Sequence, residues 1–252
     1  MQIVLNSKFF NHLSVENLGE TTKNLGYDGL GVCLRLNHPI DPNTALTELP
    51  STTRVWEQQG LIYPLATAPA DLNQPDDRAE SLFAACAESG IPRLKIGFWR
   101  FESNDDYWQL FDRARKALDG FTALSRRYQV QTCYQTHSGP CLNISGLMYL
   151  LKEFDPQEVG AYPDLGHLEL DGEDWPMGLS MMGNYLTVVG LKDVCYSQRL
   201  ENSSSICLPS FIKVGAGIVD WENRLADLHK SNFNGPLTVH TEYQYYSSSW
   251  LC

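Results

Sequence analysis

Apolar residues in this chain follow two spacings in turn. Short aliphatic runs recur, and each is followed by a stretch with apolar positions three and four residues apart. The runs Gln2–Leu5, Asp28–Leu34, Leu61–Thr67, Arg93–Phe98, Val130–Gln135, Val159–Asp164, Leu186–Lys192 and Leu237–Glu242 read as strands. Helices are predicted over Ser14–Leu25, Asn43–Gln58, a segment opened by Pro75-Asp76-Asp77 and stopped at Gly90, Asp105–Arg127, Ile144–Phe154, Glu173–Gly183 and Asp220–Lys230. Ser14 suits an N-cap and Gly26 a C-cap, while Pro50 is expected to interrupt or delay the second helix. The longest helix is amphipathic, with Trp108, Phe111, Ala114, Leu118, Phe121 and Leu124 near helical spacing. From Val194 to Gly217 no period is visible, and an irregular connection is expected.

Eight strands separated by helices in 252 residues predict parallel βαβ units closed into a single (β/α)₈ TIM barrel spanning 1–252. An open doubly wound sheet is the alternative, but no GxGxxG follows the first strand. Only ten residues follow Glu242, so the eighth helix must be short or missing. The tail aromatics Tyr243, Tyr245, Tyr246 and Trp250, or a partner subunit in a homo-oligomer, are expected to cover the gap.

Hydrophobic residues make up 43% of the chain, enough for a sizeable core, and no apolar run reaches the ~20 residues of a membrane span. The strand-like Met1-Gln2-Ile3-Val4-Leu5 lacks the basic region and cleavage site of a signal peptide, which predicts a cytoplasmic protein. A net charge of −11 argues against a nucleic-acid partner, because phosphate backbones require a basic footprint. Seven scattered cysteines without a CxxC are read as free thiols.

Polar groups collect where the predicted strands end. Tyr134-Gln135-Thr136-His137-Ser138-Gly139, Asp164-Leu165-Gly166-His167, Gly190-Leu191-Lys192-Asp193 and His240-Thr241-Glu242 each place ionisable or amide side chains at such a junction. Catalytic groups of barrels sit at the C-terminal strand ends, so Gln135, Asp164, Lys192 and Glu242 are expected to converge on one mouth. Arg35, Trp99 and Arg100 follow the second and fourth strands. They are candidates to bind substrate, the tryptophan by stacking and the arginines by clamping a carboxylate or phosphate. His137 and His167 are candidates to bind substrate hydroxyls or relay protons, and His240 reads as a satisfied core histidine. Gly215, Gly217, Asp220 and Trp221 read as turn, cap and packing rather than chemistry.

Several segments, in order, carry a resemblance. Gly26-Tyr27-Asp28-Gly29-Leu30, Asp164-x-x-His167, Leu191-Lys192-Asp193, Gly215-x-Gly217-x-x-Asp220-Trp221 and Gly235-Pro236 followed by Glu242 resemble the xylose-isomerase-like TIM-barrel superfamily. This superfamily holds sugar and sugar-phosphate isomerases and epimerases, and endonuclease IV. The run around Gln135 and His137 resembles its sugar-phosphate isomerase or epimerase subgroup. The resemblance implies a divalent metal (Mn, Mg or Zn) held by Glu, Asp, His and Glu from the fifth to eighth strands. Asp164 and Glu242 match that set, Gln135 stands at the first Glu and offers an amide oxygen, and Gly190 stands at the His.

The expected chemistry is therefore proton transfer next to the carbonyl of a small polyhydroxylated substrate, at an atypical metal site. Glu242, Lys192 and His167 are the candidate catalytic residues. Glu242 serves as base or metal ligand, and Lys192 supplies charge in place of the metal. If burial lowers its pKa, Lys192 is instead a base or Schiff-base former. Two other functions fit the same residues: a sugar-binding barrel without turnover, and a dehydratase or lyase of the inosose-dehydratase type. Endonuclease IV chemistry requires a histidine-rich three-zinc cluster and a basic groove, against six scattered histidines and an acidic chain here.

Overall fold

The computed structural model describes residues 1–138, 142–201 and 204–242. Eight parallel strands form one sheet: β1 (Gln2–Asn6), β2 (Gly29–Cys33), β3 (Ile62–Thr67), β4 (Arg93–Lys95), β5 (Gln131–Gln135), β6 (Val159–Tyr162), β7 (Val189–Leu191) and β10 (Pro236–Val239). Their order is β6-β5-β4-β3-β2-β1-β10-β7. Two isolated parallel bridges, Ala161 to Leu186 and Asp164 to Gly190, join the sheet's ends and make the barrel nearly closed. Helices α1 (Val15–Asn24), α2 (Ala45–Gln58), α3 (Asp77–Glu88), α4 (Tyr107–Tyr128), α5 (Ile144–Leu151), α6 (Leu165–Asp171), α7 (Trp175–Met182) and α8 (Trp221–Lys230) lie between the strands.

Local chemistry explains where the helices begin. Ser14, Asp76, Asp106, Asn143, Asp164, Asp174 and Asp220 each accept a hydrogen bond from the backbone N–H three residues on. Each thereby satisfies one of the donors left free in a first helical turn. Their inner faces bury Trp56, Phe83, Phe121 and Trp175 against the outside of the barrel. Truncating one such aromatic costs about 3–5 kcal/mol. Leu65, Cys133, Tyr162 and Val188 form a separate plug within the barrel, beneath the C-terminal mouth.

Four sequence readings change. The stretch expected to be irregular is a two-stranded antiparallel arm, β8 (Asp193–Glu201) with β9 (Ser204–Ile212). A ribbon of this kind is all edge, so it needs no alternating buried face and gives no period to read. Pro50 does not interrupt or delay α2, which begins at Ala45 and runs through it. The carbonyl four residues back, which loses its donor, belongs to exposed Leu46. The fourth strand ends at Lys95, not Phe98, and the Asp164-x-x-His167 segment opens an unpredicted helix, α6. The aromatic tail and Gly139 lie outside the described residues, so the expected cover for the eighth-helix gap does too. Among the described residues no helix is long and apolar enough to cross a membrane.

Candidate active site

The site is built around one ammonium. Lys192, just past β7, is 2% exposed. Its Nζ donates to Glu242 Oε2 at 3.0 Å and to His167 Nε2 at 3.1 Å, and lies 3.4 Å from Asp164 Oδ2. Phe211, returning from the arm, places its ring centre 4.6 Å from the same nitrogen. Lys192, Asp164 and Glu242 are thus brought together from three strand ends, as expected.

The partners fix the protonation states. An ammonium only donates, so His167 Nε2 accepts, and its Nδ1–H donates to Ser138 Oγ at 2.9 Å. Burial, opposed in part by Asp164, lowers the His167 pKa to about 3, which keeps the ring neutral. Burial alone would lower the Lys192 pKa, but Asp164 and Glu242 outweigh it and raise the value. Lys192 is therefore a held cation, and the reading of a lysine with lowered pKa, ready as base or Schiff-base former, is corrected. Asp164 is fully buried; desolvation opposes its charge, yet Lys192 beside it holds the carboxyl well below the usual range. Glu242 behaves alike: burial is overcome by Lys192 and Lys8, and its pKa falls to about 2. Lys8 Nζ donates to Glu242 Oε1 at 2.5 Å.

The remaining predicted residues divide. Gln135 donates from Nε2 to Asp164 Oδ2 at 2.9 Å. His137 borders the mouth, with its ring centre 3.9 Å from that of His167, and donates from Nδ1 to the Ser138 carbonyl at 3.0 Å. Arg35 also borders the mouth. Trp99 and Arg100 do not. Trp99 is buried, stacked on Tyr134 with ring centres 5.1 Å apart, and its indole N–H donates to the Asn73 carbonyl. Arg100 is exposed beyond Phe98. Both were placed at the rim because the fourth strand was read too long, and the side chain at its true end is Lys95.

Lys95 and Lys8 are the residues sequence reasoning missed. Both line the mouth, and the ammonium of buried Lys95 lies 3.5 Å from the Phe98 ring centre. The available signals were Lys95 in register with inward Arg93 and Lys8 two residues beyond β1. His240 is buried as expected but only half satisfied. Its Nε2 accepts from the Tyr162 hydroxyl at 2.8 Å and faces the Asn6 amide at 3.4 Å, which leaves the proton on Nδ1. That Nδ1 has no hydrogen-bond partner and lies 3.9 Å from both Asp164 Oδ2 and Glu242 Oε1.

These residues do not fit a divalent ion. The two carboxylates that would hold it share a lysine ammonium instead. Gln135 presents its amide N–H to Asp164, not its carbonyl. At Gly190 a Cβ would lie 3.1 Å from Asp164 Oδ2 and 3.2 Å from its Cα, so the close seam favours a bare backbone there. Among the described residues no three His, Cys, Asp or Glu side chains converge as they would around a metal.

Asp193, next to Lys192, has a structural task. Its Oδ2 accepts from Gly215 N (2.8 Å), Gly217 N (3.0 Å) and Trp221 Nε1 (2.9 Å), and its Oδ1 accepts from Val194 N (2.9 Å). The carboxylate ties the root of the arm to the start of α8. Gly215 adopts φ +84°, and Asp220 caps α8, in line with the turn and cap roles expected.

The fold has solved counterparts. A 3-keto-D-glucoside 4-epimerase from E. coli superposes with TM-score 0.75 at 14% identity, covering 98% of this chain and 94% of that one. A D-psicose 3-epimerase from Clostridium cellulolyticum H10 gives 0.72 at 12% identity, over 95% and 84% of the two chains. The probable 3-DHS dehydratase from Bacillus anthracis gives 0.73 at 12% identity, over 99% and 94%. Among curated proteins no sequence matches the chain. The sequence model described as xylose isomerase-like TIM barrel matches residues 19–249, and with the barrel and its strand-end site in view, the chain belongs to that family.

Proposed function

We propose that the barrel mouth binds a small polyhydroxylated carbonyl compound and moves a proton at the carbon next to the carbonyl, without a metal. One observation carries this reading: the buried Lys192 ammonium stands where carboxylates from just beyond β6 and β10 meet. A fixed positive charge in a dry site stabilises an oxyanion as it develops. In this reaction a Lys192 N–H binds the substrate carbonyl oxygen. The Glu242 carboxylate takes the neighbouring C–H proton, leaving an enediolate whose charge faces Lys192. Return of the proton by Glu242 to the former carbonyl carbon, with the neighbouring hydroxyl giving its proton to the former carbonyl oxygen, gives an isomer. An epimer needs a proton delivered from solvent to the opposite face. His167 and Gln135 position Lys192 and Asp164. Glu242 is a weak base while two lysines bind it, so substrate oxygens must take over lysine N–H groups before it acts. The names of two structural counterparts, epimerases of keto sugars, favour this chemistry.

The pinning of Glu242, with a pKa of about 2, favours a second reading: a barrel that binds such compounds without turning them over. Incubation with a panel of ketoses and aldoses in D₂O, followed by NMR, separates the two. We expect deuterium beside the carbonyl at a rate unchanged by EDTA and reduced at least a hundredfold in Glu242→Gln. Ligand-induced thermal stabilisation with no exchange assigns the barrel to binding alone. Loss of exchange on chelation overturns the metal-free mechanism, and release of water in place of an epimer assigns a dehydratase.

A further inference from the structure

Among the described residues, more cations than carboxylates line the mouth. Lys8, Arg35, Lys95 and Lys192 line a cavity of about 70 Å³, with Glu242 on its wall and Asp164 against Lys192. Among the described residues, four cations face two carboxylates there, in a chain whose net charge is −11. Lys8 and Lys192 are occupied by those carboxylates. Arg35 is different: among the described residues no carboxylate pairs with its guanidinium, and its Nε is buried without a hydrogen-bond partner. A buried charged donor left without an acceptor is costly, and such a group calls for an acceptor.

The backbone that carries Arg35 is held in place. The Arg35 N–H donates to the Ile40 carbonyl, and its own carbonyl accepts from His38 N. Asn37 makes the turn at φ 59°, and the His38 ring bonds the carbonyls of Leu36 and Lys8. Arg35 stands at a junction, since it also lines a groove of about 710 Å³ between the loops after β2 and β3. The inner cavity is too small for a whole sugar, whereas the groove lies in the ~300–1,000 Å³ range of small-molecule sites.

We infer that Arg35 binds an oxyanion, carboxylate or phosphate, of an acidic polyhydroxylated ligand whose body lies in the groove and whose other end reaches Lys192. A planar guanidinium grips either oxyanion through two parallel N–H bonds, and a point charge does not. The inference rests on the proposed use of the mouth as a carbonyl-compound site but names a separate part of the ligand.

Thermal shift and calorimetry with glucose, gluconate, glucose 6-phosphate and inorganic phosphate test it, on wild type, Arg35→Met and Arg35→Lys. We expect gluconate or glucose 6-phosphate to bind at least tenfold more tightly than glucose. That preference disappears in Arg35→Met and is weakened in Arg35→Lys. The preferred member of the pair identifies the oxyanion, and stabilisation by inorganic phosphate that Arg35→Met abolishes favours phosphate. If Arg35→Met does not fold, Arg35→Lys alone must still bind the preferred acid several-fold more weakly. Equal binding of glucose and the acids, acid binding indifferent to Arg35, or no binding by any probe overturns the inference. Acid binding through Arg35 without deuterium exchange keeps it and removes the catalytic reading instead.

Discussion

Lys192 is the residue on which the site's electrostatics depend. Removing its charge leaves Asp164 buried and unpaired, and breaking a buried ion pair costs about 3–5 kcal/mol. Lys192→Met should therefore lose that much stability in chemical denaturation. Lys192→Met combined with Asp164→Asn should lose less than the single substitution. A loss under ~1 kcal/mol in the single variant would mean that the ammonium is not the partner of Asp164. At this scale the sequence was informative wherever chemistry alone decided. Gln135 and Gly190 stand out against the family's ligands because neither can serve as a carboxylate or an imidazole. Strand parity already points Lys192 at Asp164 or Glu242; spacing could not reveal that its one nitrogen meets both carboxylates and His167, because that depends on side chains from three strands. Nor could it reveal that the Asp164 carboxylate has two tasks, capping α6 through Oδ1 while facing Lys192 through Oδ2.

Elements were legible where burial imposes a period. The eight barrel strands and the long helix α4 follow from alternating apolar runs and a helical stripe. Boundaries were less legible, with consequences for the site. Reading β4 three residues too long moved the rim from Lys95 to Trp99 and Arg100. The apolar Ile96 and Phe98 invite that extension, yet Gly97 and Phe98 donate to the Leu72 and Ala70 carbonyls, outside the sheet. The β8–β9 arm left no period, and its position depends on Asp193. Asp193→Asn weakens four short hydrogen bonds from one carboxylate to the arm root and α8. We expect a loss of about 2–4 kcal/mol and faster hydrogen exchange at Gly215, Gly217 and Val194 than in the barrel strands. Unchanged exchange at those amides would show that the arm is anchored elsewhere.

For the whole molecule, two buried neutral histidines set the response to acid. His167 and His240 have pKa values of about 3 and about 4 in the fold, against an ordinary value of 6.5. Below pH 6.5 the unfolded chain binds protons that the folded chain refuses, so stability falls as pH drops. The slope approaches about 1.4 kcal/mol per pH unit for each histidine until its folded pKa is reached. Glu242 adds a later loss: its contribution is complete above 4.5 and disappears as pH falls towards about 2. Denaturation between pH 7.5 and 4.5 should show this slope, and His240→Asn, which cannot titrate, should reduce it. Equal slopes in the two proteins would exclude His240 as a source.

The seam between β6 and β7 bears on what the site can accommodate. Asp164 and Gly190 lie across from each other in an isolated bridge, close enough that any side chain at 190 meets the aspartate. A larger residue at 190 would require Asp164 to give by a few tenths of an ångström while Lys192 still filled the centre. One small residue thus links two properties: the meeting of the barrel's edges and the room left for the aspartate that balances the ammonium.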